Sequence, residues 1–222
     1  MEAKLLADRS QLTDLEMPGN IPSMDIYYGS QTGTAEKFAG VIEEEATMLQ
    51  LKPTIRDFND FSEAEFGKQK LVCIVVATHY EGDPCDNTKK FFKWIKKLVK
   101  ESKASKPFTG MKYMIFGLGD TSYELYNEMG KYMDTEFEAL GAERIYGMEC
   151  GNAETFTTEE DFNNWKSNLW QSVSDHFSPF DTTTPEEKAK RKMRVMASFS
   201  SFKQSRSENV SPFEVCAPGD IS

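Results

Sequence analysis

Apolar positions in the first half of the chain form short continuous runs that alternate with helix-spaced stripes. The run Met24 to Tyr28 predicts a strand, and the spacing of apolar residues from Thr34 to Leu49 predicts an amphipathic helix after a glycine turn. Thr54 to Phe58 predicts a weak second strand. The continuous β-branched run Leu71 to Ala77 is typical of a central strand buried on both faces.

The same alternation continues through the second half. Apolar residues from Phe91 to Val99 predict a helix, whose lysine-rich outer face we interpret as a solvated surface. Lys112 to Leu118 predicts another buried strand, and Tyr123 to Leu140 predicts a helix that ends at a glycine. Ile145 to Met148 predicts a last short strand, and the apolar stripe from Phe162 to Val173 predicts the final helix.

This order of elements predicts a doubly wound α/β fold. Because each crossover between parallel strands is right-handed, five strands within about 150 residues form a parallel sheet with helices on both faces. Ligands of such sheets bind beyond the carboxyl ends of the strands. Three loops leave the predicted strands at that edge, at residues 29–35, 78–87 and 119–127.

The composition is that of an acidic protein. The 222 residues include 26 Lys and Arg against 36 Asp and Glu, a formal net charge of −10, which argues against non-specific nucleic-acid binding and favours a basic partner. The four cysteines form no CxxC pair and there are only two histidines, so we expect no structural zinc and a reducing compartment. No signal peptide and no apolar run of about 20 residues is present, so we expect a cytoplasmic protein without a transmembrane segment.

We expect an α/β domain at residues 24–178 between an N-terminal arm at 1–23 and a C-terminal arm at 179–222. Within the C-terminal arm, residues 188–206 hold seven basic residues and no acidic one, with Met and Phe interleaved. This segment could contact an acidic surface in a large protein assembly, lie weakly on an anionic membrane, or be a disordered basic linker. The sequence leaves these alternatives open.

The turn GSQTGTAE, residues 29–36, carries the most specific chemistry. A loop that enters a helix N-terminus presents unpaired N–H groups and a positive dipole end, which favour an anion. The hydroxyls of Ser30, Thr32 and Thr34 add donors, so a phosphate monoester fits. The turn matches neither Walker A nor GxGxxG, so nucleoside triphosphates, NAD and a nucleotide hydrolase are poor candidates. The alternative is an ordinary turn whose hydroxyls cap the helix.

The loops ATHYEGDPCDN and FGLGDTSYELYN add aromatic rings at the two neighbouring strand ends. A planar heterocycle attached to a phosphate would be clamped there, with rings stacked on its faces. Together the three loops predict a site for FMN.

Several motifs in the same order resemble the FMN-binding, flavodoxin-like domain of the diflavin reductase family, and most closely that of its NADPH-cytochrome P450 reductases. The resemblance runs from about residue 25 to residue 177 and rests on YYGSQTGTAEKFA, ATxxEGDPxDN, KKFFKWI, FGLGDTSYELYNEMGKYMD, LGAERIY and EEDFNNWKSNLW. It implies a flavodoxin-like three-layer sandwich with strand order 2-1-3-4-5.

The resemblance also implies the site. Residues 30–35 would bind the FMN phosphate, loops 77–82 and 118–127 would hold the isoalloxazine, and Tyr123 would stack on one ring face. No catalytic side chain and no metal ligand is expected. The implied cofactor-binding residues are Ser30, Gln31, Thr32, Gly33, Thr34, Ala35, Ala77, Thr78, His79, Tyr80, Gly82, Leu118, Gly119, Asp120, Tyr123, Asn127 and Asn152.

The sequence departs from the family pattern in three places. His79-Tyr80 replaces an aromatic-glycine pair whose glycine allows a positive φ, and CGNAE at residues 150–154 replaces an acidic run. No segment resembles the FAD and NADPH domains or the membrane anchor of the family. The carboxylates that keep the expected flavin edge acidic are Glu81, Asp83, Asp86 and Asp120.

These features predict an FMN-binding electron-transfer protein. It would accept electrons from a separate flavoprotein reductase and pass them to a haem or iron-sulfur protein. The alternative is a structural or interaction subunit of a larger assembly, with a flavodoxin-like domain that has lost or reduced its redox activity. The His79-Tyr80 pair, the thinned acidic loop and the basic arm motivate that alternative.

Overall fold

The computed structural model describes residues 21–177, so nearly all of both predicted arms lies outside the described residues. Within that range a seven-stranded sheet is flanked by six helices. The strands are β1 (Met24–Gly29), β2 (Pro53–Asp57), β3 (Leu71–His79), β4 (Asp83–Pro84), β5 (Lys112–Gly119), β6 (Glu143–Arg144) and β7 (Glu149–Asn152). The helices are α1 (Thr34–Met48), α2 (Glu63–Phe66), α3 (Lys89–Ser102), α4 (Glu128–Ala139), α5 (Thr158–Lys166) and α6 (Leu169–Phe177).

The sheet has the predicted order. Strands β2, β1, β3 and β5 lie side by side in parallel, and β6 and β7 both pair in parallel with the outer edge of β5. The two-residue strand β4 pairs antiparallel with the end of β3. With β6 and β7 counted as one interrupted strand and β4 set aside, the order is 2-1-3-4-5. The predicted doubly wound α/β fold is confirmed.

The central strand β3 is buried on both faces, which explains its continuous apolar sequence. Leu71, Cys73 and Val75 pack in the core layer that contains α1, α5 and α6. The alternate residues Val72 and Ile74 pack in the opposite layer, with α3 and α4. Because side chains alternate between the two faces of a strand, both layers draw on the same short run.

Helix α4 begins at Glu128, so the predicted helix start at Tyr123 is wrong. The carboxylate of Asp120 accepts the backbone N–H of Ser122 at 2.8 Å, and Asn127 adopts the left-handed φ of 56°. A side-chain bond of this kind competes with helix formation, and a left-handed residue interrupts the helical path. Residues 120–127 therefore form a loop at the carboxyl edge of the sheet.

The last strand and the last helix are each divided in two. The predicted strand at residues 145–148 is instead the gap between β6 and β7. In this gap the Gly147 carbonyl accepts a hydrogen bond from Nε1 of Trp165 at 2.9 Å. The predicted helix through residues 162–173 is interrupted between α5 and α6 at Ser167 and Asn168. Ser and Asn are poor residues for a helix interior because their side chains bond nearby backbone groups.

Candidate functional site

A cleft of about 360 Å³ opens at the carboxyl edge of the sheet, between the ends of β1, β3 and β5. The three loops that the sequence analysis singled out form its walls. The predicted site residues that line it are Ser30, Gln31, Thr32, Thr34, Ala77, Thr78, His79, Tyr80, Leu118, Gly119, Asp120, Tyr123 and Asn127. One surface thus brings together residues that are about 100 positions apart in the sequence.

Four predicted residues do not line the cleft: Gly33, Ala35, Gly82 and Asn152. Ala35 is buried in the core, and Gly82 lies against Leu125, whose Cδ1 would be 2.7 Å from an added Cβ. Asn152 binds Thr121 instead: its Oδ1 accepts the Thr121 N–H at 3.1 Å, and its Nδ2 donates to Thr121 Oγ1 at 2.9 Å. Asn152 therefore stabilises the loop 119–127 through these two hydrogen bonds and does not face the cleft.

The cleft also has lining residues that the sequence analysis did not name. Leu125 and Tyr126 lie inside the predicted loop 118–127, and Cys85 follows β4. Ala153 and Thr158 come from the turn after β7. The resemblance implied that Asn152, immediately before this turn, would bind the cofactor, whereas Ala153 and Thr158 are the residues that face the cleft.

The turn after β1 leaves the first amides of α1 without a side-chain cap. Gly33 is the N-cap residue, with φ 92°, and no side chain bonds the helix end there. A left-handed φ is accessible to glycine without steric cost. Ser30 Oγ accepts the Gly33 N–H at 2.9 Å and can still donate its own hydroxyl proton. The turn therefore offers backbone and hydroxyl donors to an anion.

The loop after β3 holds this turn in place through two side chains. The Ser30 N–H donates to Asn87 Oδ1 at 3.0 Å, and Asn87 Nδ2 donates to Asp57 Oδ2 at 3.1 Å. Gln31 and Asp86 exchange two hydrogen bonds, each of 3.1 Å. Bonds from Lys89 and Gln31 also lower the pKa of Asp86. The role of Asn87 could not be predicted from the sequence, because it depends on contacts between distant segments.

Two tyrosines stand at the mouth of the cleft. Tyr80 adopts φ 42°, and its side chain is 64% exposed; its ring centroid lies 4.0 Å from that of His79. Tyr123, in the loop after β5, is 41% exposed. Neither ring is buried in the protein core, so both can contact a flat ligand in the cleft.

Asn127 lies at the base of the cleft and is fully buried. Its Nδ2 donates to the Gly151 carbonyl at 3.4 Å, whereas its Oδ1 has no hydrogen-bond partner among the described residues. A buried polar atom without a partner is costly, and such atoms in native structures usually have a ligand or water partner. Asn127 Oδ1 lies against Gly117 and is buried, so it is not presented to the open cleft.

The described side chains that line the cleft include no Lys or Arg. Hydrogen bonds from Ser122 lower the pKa of Asp120, so this carboxylate is ionised at neutral pH. Burial raises the pKa of the Cys85 thiol to about 11, which leaves it protonated and unreactive. Within residues 21–177 no group of His, Cys, Asp or Glu side chains could hold a metal ion. The arrangement offers hydroxyl, backbone and aromatic contacts to a ligand.

A family model described as Flavodoxin matches residues 26–165. The chain is 38% identical to the NADPH-cytochrome P450 reductase of Sus scrofa over 157 residues, which is 68% of this chain and 22% of that protein. It is 34% identical to the enzyme of Bos taurus over 194 residues, 85% of this chain and 27% of that protein. The chain thus spans only about a quarter of the length of these relatives.

Solved flavodoxins share the fold. A cysteine mutant of the flavodoxin from Pseudomonas aeruginosa superposes with a TM-score of 0.56 at 24% identity, covering 68% of this chain and 98% of that one. Oxidised flavodoxin 2 from Bacillus cereus gives a TM-score of 0.57 at 20% identity, covering 70% of this chain and 99% of that one. At such identities the likeness concerns the fold.

Proposed function

The chain belongs to the flavodoxin family, and on that premise we propose that it binds FMN in the cleft and serves as an electron-transfer domain. The observation that carries the proposal is that the cleft has two chemically different regions. The turn after β1 provides hydroxyls and uncapped helix amides, and the mouth provides the aromatic rings of Tyr80 and Tyr123. A phosphate attached to a flat ring system matches both regions.

The residues present fit FMN in three respects. Ser30, Thr32 and Thr34 would bind the phosphate without a cation. Tyr123 would cover one ring face. Of the other predicted binding residues, Ala35 would contribute its backbone N–H, whereas the Gly33 N–H already donates to Ser30 Oγ.

When bound, FMN supplies one- and two-electron redox chemistry. The chain contributes binding, orientation and exclusion of water from the inner part of the cleft. Leu118 and Ala77 provide apolar wall there, while the ionised Asp120 stands nearer the loop surface. Because these residues determine the surroundings of the ring, they are the ones expected to adjust its reduction potential.

Electrons would come from a flavoprotein reductase, which the sequence analysis predicts to be a separate protein, and would pass to a haem or iron-sulfur protein. The similarity to NADPH-cytochrome P450 reductases supports a redox partner of the cytochrome P450 type. Acidic loops at the cleft mouth favour partners with a basic docking surface.

A cytoplasmic location remains a prediction. Among residues 21–177 no helix has the length and apolarity needed to cross a membrane.

The alternative function, a structural subunit with lapsed redox chemistry, receives no support from the geometry around His79-Tyr80. Tyr80 accommodates the left-handed backbone at its position and stays 64% exposed. Its side chain does not fill the cleft, so the departure from the aromatic-glycine pattern is compatible with a bound ring.

A comparison of FMN with riboflavin, which lacks the phosphate, tests the proposal. We expect the purified chain to bind FMN more tightly than riboflavin, and Ser30→Ala with Thr34→Ala to weaken FMN binding while leaving riboflavin binding unchanged. Each hydrogen bond to a charged group contributes about 1.5–3 kcal/mol, so the loss is at least about tenfold per hydroxyl. Tyr123→Ala should weaken both ligands, because it removes a ring contact.

Thr54→Ala, an exposed hydroxyl deletion on β2, is the matched control and should change neither affinity. A reductive titration followed by visible absorption then shows whether the bound flavin accepts electrons. A chain that stays colourless with added FMN, or that binds FMN and riboflavin equally, would refute the proposal.

A further inference from the structure

The exposed large apolar side chains of the described residues are gathered around the mouth of the cleft. They are Tyr80, Tyr123, Leu125 and Phe156, at 64%, 41%, 43% and 96% exposure. The first three line the cleft, and Phe156 lies in the turn between the lining residues Ala153 and Thr158. Exposed apolar residues that cluster in this way mark a binding surface, whereas scattered ones do not.

Phe156 is the most unusual of the four. It adopts φ 56°, a left-handed conformation that residues with a Cβ rarely take, although its side chain is almost fully in solvent. Its N–H donates to the Ala153 carbonyl at 3.2 Å, and Thr157 Oγ1 donates to Asp161 Oδ2 at 2.8 Å. These bonds hold the turn, so the aromatic ring is presented in a defined place without contributing to the core.

Around these apolar side chains most charges are acidic, and the two basic groups nearby are engaged: Lys131 Nζ donates to the Tyr126 carbonyl, and Lys89 pairs with Asp86. The acidic rim consists of Glu81, Asp83, Asp120, Glu124 and Glu154. Residues 78–88, 119–127 and 149–160, which carry the rim, contain no Lys or Arg. None of the rim carboxylates forms an ion pair within residues 21–177. A matching occupant is therefore basic and carries apolar side chains.

We propose that residues 188–206 of the same chain bind this mouth, so that the basic segment contacts the acidic rim and its Met and Phe side chains contact Phe156 and Tyr80. The segment has seven basic and no acidic residues, and it interleaves Met193, Met196, Phe199 and Phe202 with them. Both its charge and its apolar side chains thus complement the mouth. A tether also raises the effective concentration of such a segment to about the millimolar range.

The length of the chain permits this contact. Helix α6 ends at the opposite edge of the sheet, since His176 Nε2 lies 2.6 Å from Nζ of Lys112, the first residue of β5. The eight residues of β5 run from Lys112 to the cleft edge of the sheet, so about 26 Å separates the end of α6 from that edge. The 16 residues from Phe177 to Met193 span up to about 55 Å when extended. The basic segment reaches the mouth with length to spare.

The contact itself does not depend on a bound flavin, so it can be tested separately from the proposed function.

Photo-crosslinking from the mouth tests the contact in the full-length chain. A benzoylphenylalanine at position 156 should crosslink within the same molecule to residues 188–206, with a yield that is independent of protein concentration and falls at high salt. Reversal of three charges, Arg191→Glu with Lys192→Glu and Arg194→Glu, should reduce the yield several-fold. The charge-conserving pair Arg191→Lys and Arg194→Lys should leave it unchanged.

The same photoreactive residue at the exposed position 101, on the last turn of α3, is the positional control and should give no such crosslink. A second readout is tryptic cleavage within residues 188–206, which should be several-fold faster in Phe156→Ser than in the unsubstituted chain. Since Phe156 is 96% exposed, this substitution leaves the core intact.

Four results would overturn the proposal: no crosslink to residues 188–206, crosslinks only between different molecules, crosslinks only to a separate basic protein, or equal cleavage rates in the two chains. If the chain fails to bind FMN but the crosslink persists, the proposed function fails and the contact stands. If FMN binds and the crosslink is absent, the contact alone fails.

Discussion

The amide oxygen of Asn127 lies 2.5 Å from the position that a Cβ would occupy on Gly117. The close approach of β5 to the start of α4 is possible because residue 117 has no side chain, and it places a buried amide at the base of the cleft. Met148 closes the same space, with its Cε 3.1 Å from that position.

Gly117→Ala and Gly40→Ala should therefore change stability in opposite directions. The new methyl at 117 would overlap Asn127 and cost about 1–3 kcal/mol of unfolding free energy. Gly40 lies within α1 with no atom within 4 Å of an added Cβ, so alanine there should stabilise by about 0.5–1 kcal/mol. Urea unfolding of both variants measures the difference, and changes of the same sign would contradict the prediction.

A second prediction concerns the buried carboxylate of Glu45, which is 1% exposed. It binds the ammonium of Lys166, and its Oε2 accepts Nε1 of Trp170 at 2.8 Å. Glu45→Ala removes a buried carboxylate and its bonds to Lys166 and Trp170, and should cost about 3–5 kcal/mol. Glu45→Gln retains an acceptor and should cost less.

Thr47→Ala, at an exposed position of the same helix, serves as the control and should lie within about 0.5 kcal/mol of the unsubstituted chain. The three variants are compared by thermal or urea unfolding. If Glu45→Ala and Thr47→Ala were equally stable, the ion pair would make no contribution to the packing of α5 against α1.

A third prediction concerns the partly exposed thiol of Cys150. Burial raises its pKa to about 11, and nearby Lys131 only partly offsets this effect. A raised pKa lowers the thiolate fraction at neutral pH, so alkylation of Cys150 should be slow at about pH 8 and rise about tenfold per pH unit as far as about pH 10. Mass spectrometry of the alkylated native protein locates and quantifies the modification. A rate that levels off near the ordinary thiol pKa of about 8.5 would contradict the prediction.

A fourth prediction concerns the backbone of Tyr80, which adopts φ 42°. Tyr80→Asn should be within about 0.5 kcal/mol of the unsubstituted chain, because Asn tolerates the left-handed region. Tyr80→Val should destabilise by about 1–2 kcal/mol, because β-branched residues tolerate it least. Urea unfolding measures both effects, and equal stability of the two variants would show that the backbone strain at this position is negligible.

Much of the fold could be predicted from local patterns. The run Leu71 to Ala77 predicted the centre of β3. The strand order 2-1-3-4-5, which is confirmed, was implied by the resemblance to flavodoxin-like domains rather than by local patterns. The errors lie where side chains override periodicity. Residues 123–127 have helix-like spacing, yet Asp120 and Asn127 keep them in a loop.

The sequence by itself determined the sheet, its two apolar layers and the three loops that meet at its carboxyl edge, because strand and helix periodicities are properties of short segments. Only the tertiary structure decided which loop side chains face the cleft. It turned Asn152 toward Thr121, brought Ala153 and Thr158 to the cleft and joined Asn87 to Ser30. These positions depend on hydrogen bonds between residues far apart in the chain, which local patterns do not encode.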